Sequence, residues 1–270
     1  MQYLRDLVVR LRHKYVKSIL SKSNFSVDTT HRTSNQWLEP VLLGRETLKS
    51  IILKPENIRE TLDLLEKMPS DDYLEFLKDF YKKGLDTFGD DWVYADIVSA
   101  LNAITKNINI ENYLEIGVRQ GRSMFVVAGN SPDAQLYGFD LWVENYIGID
   151  NPGADYVERR LREFHHRGNI EFISGDSKKT IPSFFKANPD LYFDLITVDG
   201  DHRIKGARID IRNTVKRLKV GGILVFDDVS SPHHPYLNNL WKEEIVSNPR
   251  YFSYEYDDVG LGVGIAVKKY

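Results

Sequence analysis

Two rhythms divide the chain. Up to about residue 107, apolar positions recur every three to four residues, the period of helices with one buried stripe. "KPENIRETLDLLEKM" (54–68) predicts one helix, with Pro55 near its start, where the missing N–H costs little. "SDDYLEFLKDFYKKG" (70–84) predicts a second, capped by Ser70 and stopped by Gly84. "DDWVYADIVSALNAITKN" (90–107) predicts a third, while residues 24–48 are polar, lack a clean period and read as an irregular arm. The N-terminal "MQYLRDLVVRLRHKYVKSIL" places Leu4, Leu7, Val8, Leu11, Tyr15 and Ile19 at helical spacing, with a basic opposite side. Packing on the core or on a second subunit is the expected use of that stripe, ahead of a membrane surface.

From residue 112 the rhythm changes to short apolar runs with helical stretches between them. "YLEIGV" (113–118), "LYGFDLW" (136–142), "IEFISGD" (170–176), "FDLITVDGD" (193–201) and "GGILVFDDV" (221–229) read as strands. Helical candidates lie around 121–130, 154–167, 177–187 and 204–218. Such alternation predicts a parallel sheet wound with helices on both faces. The tail, "YFSYEYDDVGLGVGIAVKK" (251–269), holds two β-rich runs split by a Gly-rich turn and predicts a terminal hairpin. The expected organisation is a helical region over 1–89, serving as substrate cap or oligomerisation element, and an α/β domain over 90–270.

Composition narrows the function. The chain has 270 residues and a formal net charge of −3, so it lacks the basic balance typical of nucleic-acid binding. It has no cysteine, which removes disulfides, thiolate nucleophiles and Cys-ligated zinc and fits a reducing, cytoplasmic setting. No stretch reaches the length of a transmembrane span, and the N-terminus has neither the apolar block nor the cleavage site of a signal peptide.

Chemistry concentrates at the carboxyl ends of the strands, where open α/β sheets bind ligands. After the first strand comes "EIGVRQGRS", with Glu115, Gly117, Gly121 and Ser123. Neither the dinucleotide pattern G-x-G-x-x-G nor the phosphate loop G-x-x-x-x-G-K-[ST] is present. The pattern is E-x-G-x-x-x-G, and with acidic tips on the following strands the chain resembles a class I S-adenosylmethionine-dependent methyltransferase. The resemblance covers about residues 90–270. It implies a Rossmann-like seven-stranded mixed sheet in the order 3-2-1-4-5-7-6. It also implies that Glu115 lies near the amino-acid end of the cofactor, Asp140 near the ribose hydroxyls, and Asp176 with Ser177 near the adenine. Asp199 would line the same pocket.

The fourth and fifth strands end in "VDGDH" and "FDDV". Neighbouring strands lie about 4.8 Å apart, so Asp199, Asp227 and Asp228 should converge as oxygen ligands suited to Mg²⁺. Zinc is the weaker candidate, kept open by His202, His233 and His234. The arrangement is similar to the metal-dependent O-methyltransferases of the catechol and macrocin (sugar) types. Two residues depart from the catechol type, Asp228 for asparagine and His202 for a basic lysine. "DGD" is closer to the sugar type, in which Asp201 rivals His202 as the base. Metal-free cofactor positioning by the same tips is the plainer alternative. Trp142 and Tyr146 could stack on adenine, close a lid or simply pack.

The expected activity is therefore metal-assisted O-methylation of a hydroxyl on a sugar or sugar-bearing natural product, by a protein that is a dimer. Alternatives are metal-independent transfer to another small acceptor and a cephalosporin-hydroxylase-like chemistry. A non-catalytic scaffold is disfavoured, because a degenerate site has no reason to keep clustered charges. A nucleic-acid substrate is disfavoured by the charge and by the lack of an N-P-P-Y-like motif.

Overall fold

The computed structural model describes residues 36–38, 43–68, 70–144 and 151–270. The basic N-terminal stripe and Tyr146 fall outside them. Helices α1 (Arg45–Ile52), α2 (Pro55–Leu65), α3 (Asp72–Phe88) and α4 (Ile97–Asn107) come first. Alternation follows as β1 (Asn112–Ile116), α5 (Arg122–Asn130), β2 (Gln135–Asp140), α6 (Ala154–Glu163) and β3 (Ile170–Ser174). It continues through α7 (Ser177–Ala187), β4 (Phe193–Val198), α8 (Ile204–Thr214), β5 (Leu218–Asp227) and α9 (Tyr236–Trp241). The chain closes with β6 (Tyr251–Tyr256) and β7 (Val263–Lys268).

The sheet runs β3-β2-β1-β4-β5-β7-β6, with β1 to β5 parallel and β7 antiparallel to both neighbours. This is the order expected from the family resemblance. Helices cover both faces. Ile181, Phe184, Ile211, Leu240 and Trp241 fill one side. On the other, Leu48, Leu65, Leu74 and Tyr81 of α1–α3 share one continuous core with α4, α5 and the sheet. The helical region is thus built onto the sheet.

Three local expectations are corrected. Asp71, not Ser70, caps α3, accepting from Leu74 N–H at 2.8 Å, while Ser70 donates to Glu75 at 2.6 Å. A carboxylate is the better partner for a helix start. Gly84 does not stop α3, which runs four residues further to Phe88. A Cβ at Gly84 would lie 2.3 Å from the Trp92 ring, so the glycine serves packing. The third helix begins at Ile97 rather than 90, where Asp96 and Ser99 form a reciprocal capping box. The stretch 24–48 expected to be irregular also differs, since a helix begins within it at Arg45 and runs to Ile52, and Trp37 bridges to Val220.

Candidate active site

Strand order reverses between β1 and β4, and in open sheets of this kind ligands bind beyond the carboxyl ends at that point. The loop after β1 turns back through Gly117 (φ 90°) and Gly121 (φ 81°). A Cβ on Gly117 would lie 2.0 Å from the Asp199 carbonyl oxygen, so only glycine lets the two loops approach this closely. Asp199 N–H donates to Ile116 O at 2.9 Å, locking the loops together. Asp140, closing β2, accepts from Arg119 N–H at 2.8 Å and from Trp142 N–H at 2.6 Å. Both donors, like Asp228, have φ between 52° and 63°. Left-handed conformations at non-glycine residues persist where surrounding structure holds them, commonly at functional sites.

At the next two tips, β4 and β5 bring Asp199 and Asp227 together through the Val198–Phe226 pair. Burial, with the Asp199 and Asp228 charges adding, raises the Asp227 carboxyl well above its ordinary range. Asp228 is raised by burial and Asp199, with His202, His234 and His233 opposing. The His202 Nε2 lies 3.3 Å from Asp199 Oδ1 and 3.5 Å from Asp228 Oδ2. Its pKa is raised, chiefly by the hydrogen bond to Asp199, against burial. The His234 ring stacks on it at 5.0 Å and meets the Tyr236 hydroxyl at 3.1 Å. The histidine loop therefore reaches the site. Among the described residues no group of three or more His, Asp or Glu side chains is arranged to hold a metal ion. The donors suit a hard cation in kind, but an imidazole spans two of the three carboxylates expected to converge on it.

Several expected residues take more specific places. Glu115 is wholly buried beneath the loop, its Oε1 bonded to Ser123 and its Oε2 to the Tyr113 hydroxyl at 2.7 Å. Desolvation pushes it up to about 8 although both hydrogen bonds pull it down. Glu115 and Ser123 thus brace the glycine loop from below. Asp176 caps α7, accepting from Lys178 N–H at 3.1 Å, with Lys178 Nζ at 3.3 Å. Ser177, beside it, donates to the buried Asp210 at 2.7 Å. Asp201 is held by Arg203 at 2.7 and 2.8 Å and by Lys178 at 3.2 Å, which keeps its carboxyl well below the usual range.

Tyr73, on the first turn of α3, went unread because one aromatic in an amphipathic helix carries no signal. Its ring lies under Arg122 at 4.3 Å. Burial raises its hydroxyl, Arg122 opposes, and Asp227, Asp96 and Asp199 add to the rise. Arg122 was visible in "RQGRS" but has no assigned role in that motif.

Residues 114–229 match the family described as "Methyltransferase domain". Caffeoyl-CoA O-methyltransferase of Pinus taeda is 30% identical over 162 residues, 57% of this chain and 53% of that protein. The chain therefore spans about half the length of that relative. Among solved structures, the O-methyltransferase TomG from Streptomyces achromogenes, in complex with S-adenosylmethionine, superposes with a TM-score of 0.53 at 17% identity. That match covers 85% of this chain and 100% of TomG. The TDP-rhamnose 3'-O-methyltransferase CalS11 gives 0.50 at 16% identity, covering 80% of this chain and 93% of it. At these identities the two structures speak for the fold.

Proposed function

We propose that this chain, whose residues 114–229 are a methyltransferase domain on a class I S-adenosylmethionine-dependent sheet, methylates a hydroxyl group. The observation that carries the reading is the β1–β4 reversal, where a glycine loop packs on the Asp199 backbone and acidic residues end β2, β4 and β5. Its residues fit the cofactor. Glycine backbone permits close approach, and Asp140 is aimed by two backbone donors with lone pairs left for a diol.

S-adenosylmethionine supplies, when bound, a methyl group on a sulfonium leaving group. Asp140 binds and orients at the ribose, and the braced loop fixes the amino-acid end. Asp176 marks the adenine side. His202 takes the acceptor proton at Nδ1, its Nε2 hydrogen being directed at Asp199 Oδ1. Support for it over Asp201 is chemical, since Asp201 already neutralises Arg203 and Lys178 and has little proton affinity. Asp199 and Asp228 hold His202 in place and stabilise its imidazolium form.

Asp199, Asp227 and Asp228 would hold a divalent cation, preferably Mg²⁺, which supplies Lewis-acid activation of the hydroxyl. Clustered carboxylates with raised pKa are the motivation. A metal-independent version of the same transfer is favoured by one observation, the His202 bridge. For the acceptor, a sugar or sugar-bearing natural product is supported by "DGD" and by the fold shared with CalS11.

Calorimetry with S-adenosylhomocysteine, and with Mg²⁺ before and after it, tests the reading. The expected result is micromolar cofactor binding and a separate Mg²⁺ event lost in Asp227→Ala. Asp199→Ala and Asp227→Ala should abolish turnover while retaining part of the cofactor affinity. Activity that survives both, or ignores chelator, removes the metal and leaves His202. Failure to bind the cofactor at all would sink the methyltransferase reading.

A further inference from the structure

Asp199 and Asp228 hold His202 by one edge only. Both contacts are made at Nε2, at 3.3 and 3.5 Å, longer than the about 2.9–3.0 Å at which N–H···O bonds are commonest. They set where that edge of the ring points and leave the plane of the ring free to tilt about it. A base that must meet a hydroxyl through its other nitrogen needs the plane fixed as well.

The flat contact comes from His234. The two imidazoles lie 5.0 Å apart at an interplanar angle of 22°, within the range of stacked aromatic pairs. His234 is itself pinned. The Tyr236 hydroxyl meets its Nδ1 at 3.1 Å, and the Tyr236 ring packs on the core beneath the sheet. Along the backbone, Ser231 N–H donates to Asp228 O at 3.2 Å and His234 N–H to Ser231 O at 3.1 Å. Leu237 N–H then donates to His234 O at 2.9 Å, and Ser231 and Leu237 are both buried. Asp228 and His234 thus reach His202 from one built segment, whereas the neighbouring His233 is exposed. We propose that His234 is a positioning residue for the base: its ring, fixed by Tyr236 and by the turn after β5, holds the His202 imidazole in plane and leaves Nδ1 for the acceptor hydroxyl. The assignment rests on the methyltransferase reading. It separates two histidines that stand side by side in "SSPHHPYL".

Imidazole ¹⁵N correlation spectra of the full chain, at neutral pH with chelator present, read the His202 ring without an acceptor. Its Nε2–H signal is assigned by its loss in His202→Gln. Wild type should show that hydrogen exchanging slowly. His234→Ala should speed the exchange by about fivefold to tenfold, the scale of one aromatic pair. His234→Phe, which restores a flat ring without its nitrogens, should return the rate to within about twofold of wild type, and His233→Ala should leave it unchanged. An unchanged rate in His234→Ala, or equal acceleration in His234→Ala and His234→Phe, overturns the stacking role, as does a wild type with no Nε2–H signal. Should His234→Ala not fold by thermal melt, His234→Gln, which fills the space without a ring, is read in its place. S-adenosylhomocysteine is titrated into wild type alongside: failure to bind overturns the methyltransferase reading and leaves the His202 spectra as they are, which separates the two failures.

Discussion

The same two strands end very differently. At its amino end β4 carries Asp194 and β5 carries Lys219, and the two side chains meet at 2.7 Å in a fully buried pair. The other Asp194 oxygen accepts from Glu111 N–H at 2.9 Å and Asn112 N–H at 2.7 Å. Every charge there has its complement inside the protein. At the carboxyl ends the strands carry Asp199 and Asp227, where an acid faces an acid and Asp228 makes a third. Asp199 and Asp228 have His202 beside them, a group that gains and loses a proton near neutral pH. Burial is common to both edges; compensation is not. One edge closes the fold, and the other holds repulsion that a ligand, a metal or a transferred proton can relieve.

Breaking the closed edge should have the largest effect. Asp194→Ala strands the Lys219 ammonium in the core and removes the acceptor of two backbone N–H groups. The expected loss is roughly 3–5 kcal/mol, since removing one partner leaves the other buried and unpaired. Thermal unfolding should drop by roughly 10 °C. Asp194→Leu with Lys219→Met should recover only the part owed to the stranded ammonium, because the Glu111 and Asn112 N–H groups still lose their acceptor. A small loss in the single variant would show that water reaches this edge.

Glu115 is the intermediate case, a buried carboxyl on β1 answered by hydroxyls and no cation. Its value rises from 4.5 to about 8, so the folded state binds the proton more tightly than the unfolded state. Stability from this group is full below about pH 4.5 and is lost as the pH climbs through about 8. Between pH 6 and pH 8 the loss should be roughly 2 kcal/mol. Glu115→Gln should remove that slope in denaturant titrations at the two pH values. An unchanged slope would assign the dependence to another group.

These edges were not equally legible in the sequence. Strand tips are written in chain order, so "VDGDH", "FDDV" and "EIGVRQGRS" mark the carboxyl ends of β4, β5 and β1 directly. Contacts between distant segments are not. Nothing in "YFDLI" pairs Asp194 with Lys219, and nothing in "SDDYLEF" sets Tyr73 beneath Arg122. Local chemistry misled where two readings of one residue type competed. Ser70 and Asp71 are both good caps, and Gly84 reads as a stop until the Trp92 ring is seen against it. The Ser177 contact to the buried Asp210 is likewise a contact between distant segments that "SGDS" does not spell out.

The open edge should answer with the opposite sign and the smallest magnitude. Asp227→Asn keeps the shape of the side chain and deletes one charge from the cluster. In the absence of divalent cations, at pH 8 where the carboxylates repel most, the variant should be more stable than wild type by about 1 kcal/mol. Thermal melts should show this as a rise of about 2–4 °C. Adding Mg²⁺ should then raise wild type and leave the variant where it was, because a ligand stabilises only the form that binds it. A destabilised variant would mean that Asp227 is held by hydrogen bonds it needs, as Asp194 is, and the contrast between the two edges would fail. Stabilisation with no response to Mg²⁺ in wild type would keep the contrast and hand the relief of that repulsion to His202 alone.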